Sequence, residues 1–375
     1  MAGGNPLSFL HVSRAEIDLP SDTDPHDDAV YDAAVSNFSR LKEAALLVEE
    51  EPSLYFYRLR MGEHEQLGLA GCYSIDEYDA DVIKKHERTR RDKEDDRTRH
   101  MLALGAQTGP VFLVYRASAD VTDIGRRVVA SEPLFDFAAR DDVRHTVWRV
   151  TGKDRQLLVN AFSRIPTLYI ADGHHRAASA SRARAEIRRT GAPRSSLGDG
   201  ADANTVLAVA FPHDQVQILP YNRIVKDLVG LSEAAFLGAV GERFTVSDGP
   251  ATPARQGDIA MYVQGRWQTL RSRTPPDPRD AIGSLDVSVL QDQLLAPILN
   301  IVDVRTDTRI DFVGGARGTG ELEHHVKSGN AVAAFSMYPV GVADLMAVAD
   351  AGGIMPPKST WFEPKLRDGL LSHVI

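Results

Sequence analysis

A chain of 375 residues is long enough for two domains, each burying its own core, and 43% hydrophobic with 25% charged residues is the balance of a globular protein. A net charge of −9 argues against a general nucleic-acid binder, and the single cysteine, Cys72, excludes an internal disulfide and a cysteine-rich zinc site. There is no run of about 18 apolar residues to span a membrane, and the start, Met-Ala-Gly-Gly-Asn-Pro, lacks the basic and apolar segments of a secretory signal, so the expected compartment is the cytoplasm.

Phe9-Leu10-His11-Val12 reads as a short strand, and the acidic loop 21–28 leads into an amphipathic helix over 28–48, with Val30, Ala34, Phe38, Leu41 and Ala45 on one face. Residues 54–59 and 66–73 flank a glycine turn and read as a hairpin, with Cys72 expected as a buried thiol. The composition then changes. From Lys84 to His100 there is no aliphatic or aromatic residue. Pairs such as Glu87 with Arg91 and Arg90 with Glu94 favour a helix by about 0.2–0.5 kcal/mol each. A helix without an apolar stripe either protrudes or lines a polar cavity, where its charges meet a charged ligand. Strands follow at 111–115 and 145–150, then a helix at 152–163.

Leu168-Tyr169-Ile170-Ala171 reads as the end of a buried strand, and the Ala- and Arg-rich sequence through Arg189 as a helix. Asp172-Gly173-His174-His175-Arg176 joins them. The start of a helix has unpartnered N–H groups and a dipole that favours anions. Gly173 lets a ligand approach the backbone, Arg176 offers a fork for phosphate oxygens, and Asp172 suits either a helix cap or a metal ion beside phosphates. An ordinary capped turn with solvated basic residues would use some of the same residue types.

Residues 190–204 read as a flexible loop or domain boundary. Beyond it come strands at 206–211, 259–263, 267–270, 310–313 and 331–335 and helices at 232–240 and 284–299, a mixed α/β or α+β second half. The C-terminal stretch Met355 to Lys365 carries three prolines, two lysines and two hydroxyls between aromatic anchors, which suits a lid over an anion site.

Taken together, Asn5 to Val12, Ile83-Lys84-Lys85-His86-Glu87, the Asp172–Arg176 turn and Met355-Pro356-Pro357-Lys358-Ser359-Thr360 resemble domain-of-unknown-function family 1015 along nearly the whole chain. The family's usual N-terminal segment, ending in a Pro-Tyr-Asp-Val-type motif, is not found here. The turn in its turn is similar to that of the free serine kinases of the ParB/sulfiredoxin superfamily, where it cradles nucleotide phosphates. A Lys-Pro-His-Glu-type segment supplies their catalytic glutamate; the matching position here is Glu87, with Lys85 in place of proline.

The resemblance implies a mixed α+β fold: an N-terminal ParB/sulfiredoxin-like nucleotide domain over 1–200 and a second α/β domain over 201–375 with a lid tail. It implies a kinase that transfers a phosphoryl group from ATP or ADP, with Mg²⁺, to a small hydroxyl-bearing metabolite, free L-serine being the best single guess. Glu87 would be the base and Asp172 would position Mg²⁺ or substrate. Gly173, His174, His175 and Arg176, with Lys84 and Lys85, would hold phosphates; His86, Lys358, Ser359 and Thr360 would contact substrate or form the lid. The alternative is a nucleotide-binding switch or nucleotide hydrolase. A metal-dependent hydrolase using His86, His174, His175 or the pair His324–His325 has poor spacing for zinc. The expected partners are a nucleotide and a small molecule, not a membrane or nucleic acid.

Overall fold

The computed structural model describes residues 2, 4–45, 51–190 and 201–375. The chain forms two compact units, residues 1–216 with 364–375, and residues 217–363.

The first unit opens with helices α1 (Leu10–Ser13) and α2 (Asp28–Ala45). The expected strand at 9–12 is therefore the one-turn helix α1. Val12 inserts beside Val30, Ala34, Phe38 and Leu41 of α2, so a helical turn buries what a lone strand could not pair. The tail of the expected helix 28–48, residues 46–48, lies outside the described residues. The hairpin β1 (Leu54–Met61) and β2 (His64–Ser74) follows, in register from Tyr55 with Ala70 to Met61 with His64. Cys72 is exposed, contrary to the buried thiol expected, because the buried run of β2, Gly68 to Gly71, ends just before it.

Next come α3 (Ile75–Asp79), β3 (Ile83–Lys84), α4 (Arg91–Leu104), β4 (Ala106–Gln107), β5 (Val111–Tyr115) and α5 (Ala119–Val128). After these lie β6 (Phe135–Ala138), β7 (Val143–Val150), α6 (Gly152–Phe162), β8 (Leu168–Asp172), α7 (His174–Thr190) and β9 (Thr205–Pro212). The charged run is not one helix. Its first residue, Lys84, ends β3 and pairs in parallel with β8 opposite Tyr169, and α4 begins only at Arg91. The pair Glu87–Arg91 is thus not a helical one. The apolar anchor missing from 84–100 arrives at its end and just beyond, where Thr98, Met101 and Leu104 are buried.

Eight strands form one mixed sheet in the order β3-β8-β5-β9-β2-β1-β7-β6. β5 pairs antiparallel with β8 and parallel with β9, so β8 sits between β5 and the short β3. The register of β5 on β8 shifts between Phe112 and Leu113, beside Asp172. Such an irregularity bends a strand end and re-aims its side chains. The core between this sheet and its helices includes Phe56, Leu113, Ile124, Leu158, Ile170 and Ile187. β9 completes this sheet, so the first unit extends past the loop read as a boundary at 190–204, of which residues 191–200 lie outside the described residues.

The second unit holds β10 (Gln217–Leu219), β11 (Tyr221–Val225), α8 (Glu233–Arg243), β12 (Phe244–Asp248), β13 (Ile259–Val263) and β14 (Arg266–Ser272). A helical stretch from Asp286 to Leu299 widens to a π-helix over Gln291–Leu295. β15 (Ile310–Gly314), a helix at Gly318–Lys327, β16 (Ala333–Ser336), a helix at Val342–Asp350 and β17 (Trp361–Glu363) complete it. Its sheet order is β12-β14-β13-β16-β11-β15, with β10 and β17 as a separate pair. The last strand, β18 (His373–Val374), returns to the first unit and pairs with β4.

Candidate active site

The site grows from the end of β8. Strand hydrogen bonding carries Asp172 to the sheet edge, and Gly173 then turns the chain with φ +96°, a conformation that disfavours side-chain-bearing residues. A Cβ there would lie 3.4 Å from both Val111 Cα and Arg176 Nη1. The Gly173 carbonyl accepts from the Ala177 N–H at 3.1 Å, which starts α7 with His174, His175 and Arg176 in its first turn.

The two histidines do different things. His174 is 3% exposed, and its ring meets that of His86 edge-on at 4.4 Å. The His86 backbone N–H donates to His174 Nε2 at 3.4 Å, which assigns the ring proton to Nδ1. That Nδ1 stands 3.6 Å from a carboxylate oxygen of Glu87, whose side chain is 56% exposed. Burial, and then the neighbouring His86, hold His174 well below its ordinary pKa, so it is neutral and the contact with Glu87 is not an ion pair. Burial likewise pushes His86 down to about 4; it bonds the Ile170 backbone and leaves Nδ1 without a partner. His175 instead accepts the Arg90 N–H through Nε2 at 3.0 Å, fixing the residue that precedes α4.

On the other side of the turn, Arg176 donates to the Pro110 carbonyl at 3.2 Å and reaches Asp368 at 3.5 Å. Lys365 stands 3.1 Å from the Asp172 carboxylate. Burial pushes the Asp172 carboxyl up, but Lys365 and Arg176 outweigh it, and the group lies below the usual carboxylate value. A cavity of about 680 Å³ opens beside Arg176. Its lining mixes charged side chains, among them Lys93, Asp96, Arg97, Arg176 and Asp368, with the apolar Val12, Val30 and Ala34. Its volume is in the range that encloses a small organic ligand. Burial and the Arg176 charge both push the Arg97 guanidinium down, against the acids Asp368, Asp96 and Asp172, and both arginines line the cavity.

Among the residues expected at the site, the structure brings together His86, Glu87, Asp172, Gly173, His174, His175 and Arg176. Lys85 is engaged elsewhere: its ammonium donates to the Tyr78 carbonyl at 2.8 Å, pairs with Asp81 and lies 4.2 Å from the Tyr78 ring. Lys84 lies on β3 opposite Tyr169. Lys358, Ser359 and Thr360 belong to the second unit. Among the described residues, no group of three or more His, Cys, Asp or Glu side chains is placed to hold a metal ion. Sequence reasoning did not single out Arg97 or Asp368. Arg97 was one of many charges in its run, and Asp368 is nearly 200 residues from the arginine it meets.

This is a mixed α/β protein whose strand–turn–helix edge gathers a carboxylate, buried neutral histidines and an arginine beside a charged cavity. The family described as "Protein of unknown function (DUF1015)" matches over residues 1–288, and the chain belongs to that family. No curated protein matches it. Among solved structures it is similar to a free serine kinase in complex with AMP, at 13% identity over 78% of this chain and 86% of that one, with a TM-score of 0.39. It is also similar to SbnI with a C-terminal truncation from Staphylococcus aureus, at 12% identity over 80% and 84% of the two chains, TM-score 0.42. A conserved hypothetical protein from Pyrococcus furiosus gives 12%, 80%, 93% and 0.38.

Proposed function

We propose that the protein is a small-molecule kinase that moves a phosphoryl group from ATP or ADP to the hydroxyl of a metabolite, with free L-serine the first acceptor to try. The observation that carries this reading is the position of Glu87: an accessible carboxylate 3.6 Å from the first-turn histidine of the same helix that presents Arg176. Phosphoryl transfer to an alcohol needs a proton acceptor at the hydroxyl and fixed positive charge around the phosphates, and little else from the protein.

Glu87 accepts the hydroxyl proton as the oxygen attacks phosphorus; the bond to the nucleotide's leaving oxygen breaks and the shorter nucleotide departs. Neutral His174, its Nδ1–H directed toward Glu87, orients that carboxylate. Arg176 and Arg97 hold the phosphates, and the cavity they line receives the nucleoside. Mg²⁺ supplies charge neutralisation on the phosphates when bound; Asp172 is the carboxylate at hand to share it, since this ion ordinarily uses one or two carboxylates plus phosphate oxygens.

One observation favours the alternative of a nucleotide-responsive switch. Asp368 occupies Arg176, so phosphates arriving at this turn compete with the tail 364–375 for that guanidinium. Phosphorus NMR of the protein with Mg²⁺, ATP or ADP and hydroxylated amino acids separates the two. A new phosphomonoester signal that vanishes in Glu87→Gln supports the kinase; nucleotide binding with no new phosphoester supports the switch or a hydrolase.

A further inference from the structure

In the second unit, Arg223 sits on β11, between β15 and β16. It is 3% exposed. Its Nη1 donates to the Tyr221 carbonyl at 2.6 Å and its Nη2 to the Lys358 carbonyl at 3.4 Å, with the Phe312 ring 5.7 Å away. Among the described residues, no carboxylate pairs with it, and burial pushes the guanidinium down to about 10. An arginine removed from water is ordinarily matched by an anion, because neutral carbonyls return only part of the lost hydration.

Lys358, whose carbonyl accepts from Arg223, carries a second cation. The Lys358 ammonium stands 5.6 Å from the Tyr221 ring. Lys358 itself has φ +60°, a backbone strain that non-glycine residues adopt where their surroundings impose it. The surroundings here are Arg223 on its carbonyl and the buried Ser359, whose hydroxyl donates to the Pro356 carbonyl at 2.6 Å. The nearby acids are already engaged: Glu363 accepts from the Trp361 indole N–H at 2.8 Å, and Asp311 accepts from the Phe312 N–H at 2.8 Å.

From the buried Arg223 without a carboxylate and the strained Lys358 next to it, we infer that the second unit carries an oxyanion-binding site for the carboxylate or phosphate of a small molecule. The site does not depend on the kinase reading. A guanidinium fork matches either group by two-point, charge-assisted hydrogen bonding.

The test uses the full chain carrying Arg176→Gln, so that the first unit's anion site is weakened. Inorganic phosphate is followed by phosphorus line width and acetate by proton saturation transfer. Binding of either probe, weakened at least fivefold by Lys358→Gln, is expected; phosphate alone points to a phosphorylated ligand and acetate alone to a carboxylate. Arg223→Gln should abolish binding, with circular dichroism reporting its folding; if it fails to fold, Lys358→Gln decides. No binding of either probe, or binding indifferent to these substitutions, overturns the proposal and leaves Arg223 as a structural tie between β11 and residue 358.

Discussion

Glu87 stands 3.6 Å from the His174 imidazole with its side chain 56% exposed, so a change there is expected to be borne without loss of the fold. Glu87→Gln keeps the shape and removes the proton acceptor of the proposed reaction. Phosphoryl transfer should fall by about 10²–10⁴, the usual range for a general base, while nucleotide affinity stays within a few-fold; equal loss of both would contradict the assignment. Gly173 is constrained differently. Gly173→Ala puts a Cβ on a backbone at φ +96° and against Val111, so it should lower stability by about 1–3 kcal/mol and shift Arg176, seen as a lower denaturant midpoint together with weaker nucleotide binding. At this scale the sequence was most legible. Asp-Gly-His-His-Arg after an apolar run states its own conformation, because only local forces are involved.

Elements decide what those residues meet. The helix α4 packs on α7 by reaching across: Arg182 pairs with Glu94 at 3.1 Å and with Asp95, while Ser179 donates to the Glu94 carbonyl. Pairs expected within one helix are thus made between two. The tail 364–375 is tied by the Gly369 N–H to Thr108 at 2.7 Å and by β18 on β4, which holds Asp368 against Arg176. Asp368→Asn should free the guanidinium and tighten nucleotide binding several-fold; unchanged or weaker affinity by calorimetry would mean that phosphate and Asp368 do not share Arg176. Such contacts were not legible, since periodicity describes one segment and says nothing about which segment it packs against.

Across the whole molecule, burial of histidines ties stability to pH. His86 and His145 are 2% and 0% exposed, and burial holds both near 4, below the ordinary 6.5. Their folded values are depressed, so the unfolded chain takes up protons first as pH falls. The stability they contribute is complete above about 6.5 and declines toward 4, by about 2 kcal/mol for each ring at pH 5. Urea midpoints at pH 7 and pH 5 check this, and a flat profile between them would refute it. The sequence by itself determined most of the longer strands and helices, the mixed α+β class and the strand–turn–helix at Asp172–Arg176, because these follow from local propensity and from the spacing of apolar residues. Only the tertiary structure decided that Lys365 and Asp368 meet Asp172 and Arg176, that Lys85 turns away to Tyr78, and that Arg223 is buried without an acid. Each of those depends on which distant segments exclude water from one another, and no single segment contains that information.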